Sequence, residues 1–68
     1  MSDWKKKNSG KFGELWVDKS SGDRMIVIYR SGLNTWKVEN EKGHIEFEDE
    51  AETKSAILKS ARKYRRTH

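Results

Sequence analysis

Three patterns of hydrophobic and polar residues follow one another along the chain. Residues 1–11 hold Lys5, Lys6, Lys7 and Lys11 among Ser, Asn and Gly, with Trp4 as the large apolar side chain. This stretch reads as a flexible basic arm ahead of a single domain over residues 12–68. From Phe12 the pattern is that of strands. Residues 12–17 mix aromatic and β-branched types, residues 19–23 are turn formers, and residues 24–30 carry the strongest β signal in the chain. A second turn at 31–34 leads into 35–40, where Trp36 and Val38 alternate with Lys37 and Glu39, the period of a half-buried strand. Glu41, Lys42 and Gly43 turn again into a short strand at 44–47, with Ile45 and Phe47 expected on one side and His44 and Glu46 on the other. Connections this short permit antiparallel pairing and exclude parallel crossovers.

The last segment changes period. Ala51, Ile57, Leu58, Ala61 and Tyr64 recur at helical spacings, so residues 49–66 are expected to form one amphipathic helix. Asp49 is the expected N-cap; Asp49, Glu50 and Glu52 would complement the positive end of the helix dipole, and Arg62, Lys63, Arg65 and Arg66 the negative end. The fold class that follows is α+β: an antiparallel β-meander of three to four strands packed on one C-terminal α-helix. Leu15, Val17, Trp36, Val38, Ile45 and Phe47 are expected to supply the sheet's side of the core.

One helix covers one face of a sheet and leaves the other open. Either Met25, Val27 and Tyr29 point at the helix and Arg24, Ile26, Ile28 and Arg30 point away, or the reverse. In the first arrangement the open face is expected to carry Trp16, Phe12 and Lys37 as well, a patch both apolar and basic of the kind that marks a partner. A sheet packed on one helix resembles, in topology, the arm-binding domains of phage-type integrases, in which a three-stranded sheet enters a DNA groove. That likeness implies a sheet face that touches DNA. The acidic stretch from Glu46 to Glu52 departs from it, since acidic side chains on a binding side repel DNA.

Composition limits the chemistry. With 32% hydrophobic and 38% charged residues in 68, the core must be thin, and the three tryptophans are what separate the composition from that of a disordered chain. Cysteine is absent, which removes disulfides, thiolate metal sites and thiol catalysis. His44 and His68 lie far apart, the acidic run lacks the alternating ligands of a calcium loop, and no serine has a base in view. The chain therefore reads as non-catalytic, with no cofactor and no metal. The flanking spacing of Gly10 and Gly13 fits no phosphate-binding loop, and the glycines read as turn residues. No apolar run suits a membrane span or a signal peptide, so a cytoplasmic protein without a membrane partner is expected.

A net charge of +4 points to anionic partners, nucleic acid or an acidic protein. The leading expectation is a nucleic-acid-binding module, DNA favoured, using Trp16, Arg24, Ile26, Ile28, Arg30 and Lys37 on the sheet. Lys5, Lys6 and Lys7 would add contacts from the arm, and Arg62, Lys63, Arg65 and Arg66 from the tail. Lysine and arginine neutralise phosphates, while Trp16, Phe12 or Tyr29 could stack on bases or wedge a groove. The alternative is a protein-interaction, inhibitor or adaptor module that uses the open sheet face, with a homodimer as one form.

Overall fold

The computed structural model describes residues 3–68; the first two residues of the expected arm lie outside the described residues. Five strands precede one helix: β1 (Trp4–Gly10), β2 (Gly13–Asp18), β3 (Arg24–Ile28), β4 (Asn34–Glu39), β5 (Ile45–Ala51) and α1 (Lys54–Thr67). The strands form one antiparallel sheet in the order β1-β2-β3-β4-β5. The class is α+β, with five strands where three to four were expected.

The extra strand is the segment read as a mobile arm. It pairs along β2, with Lys5 opposite Val17, Lys6 opposite Trp16 and Ser9 opposite Glu14, and a bulge between Lys6 and Asn8. An edge strand wet on both faces needs no apolar alternation, and lysines on such an edge discourage pairing with other chains. Asp18 fastens its start. The buried Asp18 carboxylate accepts the Asp3 N–H at 2.9 Å, the Ser20 N–H at 3.0 Å and the Ser20 hydroxyl at 2.7 Å. Burial alone would raise its pKa; these hydrogen bonds together outweigh that and hold it below its ordinary value of 3.8.

The fifth strand runs further than expected, and the helix starts later. β5 continues to Ala51, with Asp49 opposite Trp36 and Glu50 opposite Thr35, so the acidic run extends a strand instead of opening a helix. Thr53 is the N-cap in place of Asp49; its hydroxyl accepts the Ala56 N–H at 3.1 Å, and the first helical turn holds no acidic residue. Asn34, buried at the junction, donates to the carbonyls of Ala51 and Glu52. A register shift between Val38 and Glu39 sets Phe47 opposite Val38 but Ile45 opposite Glu39. The two side chains expected on one side therefore fall on opposite faces, and both are about half exposed.

Residues directly opposite in an antiparallel pair share a face. Met25 and Val27 are buried against the helix with Trp36, Val38, Ile57, Ala61 and Tyr64, which settles the phase of β3. Trp16 lies opposite Met25 and Glu14 opposite Val27, so both belong to the helix side. Leu15 and Val17, expected in the core, lie opposite Ile26 and Arg24 on the open face. The expectation for β2 was one residue out of phase. Gly13 explains how tightly β2 approaches β3: with φ of 152°, a Cβ there would stand 1.8 Å from the Val27 carbonyl oxygen. Among the described residues no helix is long and apolar enough to cross a membrane.

Candidate nucleic-acid interface

Helix α1 carries Lys54, Lys59, Arg62, Lys63, Arg65 and Arg66 and no acidic residue. Successive residues turn by about 100° around a helix axis, so with Ile57, Ala61 and Tyr64 facing the sheet the two flanks differ in kind. Ala56, Ser60 and Thr67 lie on the flank towards β5, where Ser60 takes the Trp36 indole N–H at 2.9 Å and donates to Asp49. Lys54, Leu58, Arg62 and Arg65 occupy the other flank, Lys59 and Arg66 the outer surface, and Lys63 lies beside Ser60 and Thr67 towards β5.

The helix packs chiefly on β4 and β5. The strip of surface between the cationic flank of α1 and β1, lined by the half-buried Trp16, Tyr29 and Glu14, is a shallow trough that side chains, Arg65 foremost, lie across. Arg65 crosses towards the floor, its Cζ 3.8 Å from the centre of the Trp16 ring and its Nη1 3.2 Å from the Met25 sulfur. Burial lowers the Arg65 pKa, with Glu14 opposing and Arg62 adding to the effect, and an arginine so shifted still stays cationic. Lys6 reaches the same tryptophan from β1, its Nζ 5.3 Å from the ring centre and 3.5 Å from Glu14 Oε2. Glu14 also accepts the Trp16 Nε1 proton at 2.9 Å, which fixes the ring. At the end of the trough nearest the start of α1, Lys54 Nζ is 4.6 Å from the Tyr29 ring and Lys11 Nζ 5.1 Å from the Phe12 ring.

All four ion pairs among the described residues lie in the sheet or at its edge: Lys5–Asp3, Lys6–Glu14, Arg24–Glu39 and Lys37–Glu39. None involves α1. The open face is the reverse of the trough in this respect. Arg24 Nη2 is 3.1 Å and Lys37 Nζ 3.2 Å from the two oxygens of Glu39, and Lys37 lies opposite Glu48. Ile26 and Ile28 are half-buried between these pairs. Acidic charge gathers at the far edge, in Glu46, Glu48, Asp49 and Glu50 of β5. A hydrogen bond with Asp23 raises the Glu46 pKa, and burial followed by Glu46, Asp23 and Asp18 raises that of the Tyr64 phenol.

The expected site residues thus divide. Trp16, Lys6 and Arg65 meet on the trough side with Arg62 on the adjoining helix flank, Arg66 lies on the outer surface of α1, and Arg24, Ile26, Ile28 and Lys37 share the opposite face of the sheet, while Lys5 pairs with Asp3. Trp16 was expected on the open face and is not there. Lys7 sits in the β1 bulge, Arg30 in the β3–β4 turn and Lys63 on the β5 side of α1, beside Ser60 and Thr67. Lys54 and Lys59 were not among the expected residues, although helical spacing places Lys54 with Leu58 and Arg62 on the flank and Lys59 with Arg66 on the outer surface. Among the described residues, no group of three or more His, Asp or Glu side chains is arranged to hold a metal ion. No protein family, no curated protein and no solved structure is detectably similar to this chain.

Proposed function

We propose that the protein binds nucleic acid along the trough between α1 and β1, and that it has no catalytic role. The observation that carries this reading is the helix with six cations, no acid and no carboxylate within ion-pair distance among the described residues. Cations left unmatched on one flank, beside Lys6 and Lys11, are suited to a polyanion, whereas the open face neutralises itself through Glu39. Phosphate neutralisation releases counterions, so affinity follows the number of unmatched cations that reach the backbone. The acidic β5 edge lies on the other side of the helix, away from the path proposed for the phosphates. Sheet residues Arg24, Ile26, Ile28 and Lys37 have no contact role in this reading.

The test is fluorescence anisotropy of labelled DNA and RNA oligonucleotides across a salt series. Arg62→Gln with Arg66→Gln should weaken binding and flatten the plot of log affinity against log salt by roughly 0.7 to 0.9 for each phosphate that is no longer neutralised. Arg24→Gln with Lys37→Gln should leave both unchanged. No binding of any oligonucleotide at low salt ends the proposal; a greater loss from the sheet variants moves the interface to the open face.

A further inference from the structure

Resting on the reading above, we infer that the trough takes a single strand, with an unpaired base stacked on Phe12. Three aromatic side chains on this side carry a cation over the ring: Trp16 has Arg65 at 3.8 Å and Lys6 at 5.3 Å from its centre, Tyr29 has Lys54 at 4.6 Å, and Phe12 has Lys11 at 5.1 Å. Exposure separates them. Trp16 and Tyr29 are half-buried against the sheet, whereas Phe12, at the tip of the β1–β2 hairpin, is 73% exposed and is the ring a base reaches with least displacement.

The position of Phe12 is set by its backbone. Its carbonyl accepts the Tyr29 N–H at 2.9 Å, Gly10 and Gly13 pair on either side of the tip, and Gly13 lies too close to β3 to tolerate a side chain. The exposed ring is therefore carried on a hairpin tip tied to the backbone of Tyr29, whose own ring lies under Lys54, instead of swinging on a loose loop. A strand whose phosphates follow the cations of α1 brings a base within reach of this ring. Aromatic stacking accepts any base, because every base has a π-face. A duplex must first unstack a pair before it can present such a face. The ligand class is single-stranded nucleic acid; the 2′-hydroxyl separates its two sources, DNA and RNA.

The experiment measures anisotropy with oligonucleotides of about 12 nucleotides, within the usual site size of small single-strand binders. Single-stranded DNA, RNA of the same sequence and the DNA duplex are compared. Wild type should favour the single strands. Phe12→Ala and Phe12→Leu should weaken single-strand binding by about 5- to 150-fold, the range expected for removing one base–aromatic stack, with an unchanged salt slope, and Phe12→Tyr should retain it. Unaltered circular dichroism melts for the Phe12 variants exclude misfolding as the cause. Unchanged single-strand affinity in Phe12→Ala, alongside a loss in Arg62→Gln with Arg66→Gln, overturns the role of Phe12 and leaves the trough reading intact. Equal or tighter duplex binding by wild type also overturns it. No oligonucleotide binding at all removes both readings.

Discussion

The two flanks of α1 put the same helix to different uses. Towards β5, Ser60 links Trp36 to Asp49, and Tyr64 packs against Trp36 at 5.1 Å and Phe47 at 5.3 Å between ring centres, with the His68 ring stacked on it at 4.0 Å. Polar groups there are matched, and the contacts serve folding. Towards β1 and β2 only side chains bridge the gap: Arg65 on Trp16, Lys54 on Tyr29, and Trp4 edge-on to Tyr64 at 6.3 Å. In a chain with so small a core, one flank has to be packed well for the helix to stay docked. The other is then free to keep cations that no ion pair engages, some of them, such as Arg65 and Lys54, lying over aromatic rings.

Tyr64 belongs to both flanks, so its loss should have the largest effect. Tyr64→Ala removes a buried aromatic and should cost about 3 to 5 kcal/mol, which is close to the whole net stability of roughly 3 to 5 kcal/mol available to a core of this size. Urea melts followed by circular dichroism should find it largely unfolded; a cooperative melt near the wild-type midpoint would show that the flanks hold without their shared ring. Asp18→Asn comes next and bears on the trough side alone, because Asp18 fastens β1, the outer wall. Weakening its hydrogen bonds should cost about 1 to 3 kcal/mol, with faster amide exchange in β1 than in β5.

The sign of the pH effect at Asp18 follows from its lowered pKa. Its stabilisation is fully present above the unfolded value near 3.8 and is lost as pH falls from there through the lower folded-state value. Melts of wild type across that window should lose a component that Asp18→Asn lacks, and parallel curves for the two proteins would refute the assignment. The smallest effects compare the flanks directly. Ser60→Ala leaves the Trp36 indole without its acceptor and should cost about 1 kcal/mol. Arg66→Gln should change stability by no more than about 0.5 kcal/mol. Equal melting shifts for the two would contradict the division of labour.

Much of this arrangement is legible in the sequence, and the failures have physical causes. The stripe of Ile57, Leu58, Ala61 and Tyr64 announces the helix, and alternation through Trp36 and Val38 announces β4. β1 gives no such signal, because a strand with two wet faces has no periodicity beyond Trp4. The acidic run invites a helix start by its charge, yet the same residues suit an exposed edge strand opposite Lys37 and Thr35, and Thr53 supplies the cap instead. β2 admits two phases, Leu15 with Val17 or Glu14 with Trp16. Local pattern favours the first. What decides is the position of the helix over β4 and β5, which leaves room above β2 for a tryptophan covered by an arginine from forty-nine positions further along the chain. For the same reason the sequence disclosed the cations of the site but not their grouping, since grouping depends on which side of α1 is already occupied.

The close approach of Gly13 to the Val27 carbonyl oxygen bears on how this hairpin could diversify. Lys11 and Phe12 project from the tip and can be exchanged with little cost to folding, so a randomised library there should yield many folded clones. Their neighbour cannot join it. A single added methyl group at Gly13 must push two strands apart, which makes the tip a site where tolerance to substitution changes abruptly between adjacent positions: variable residues set on a fixed hinge pin.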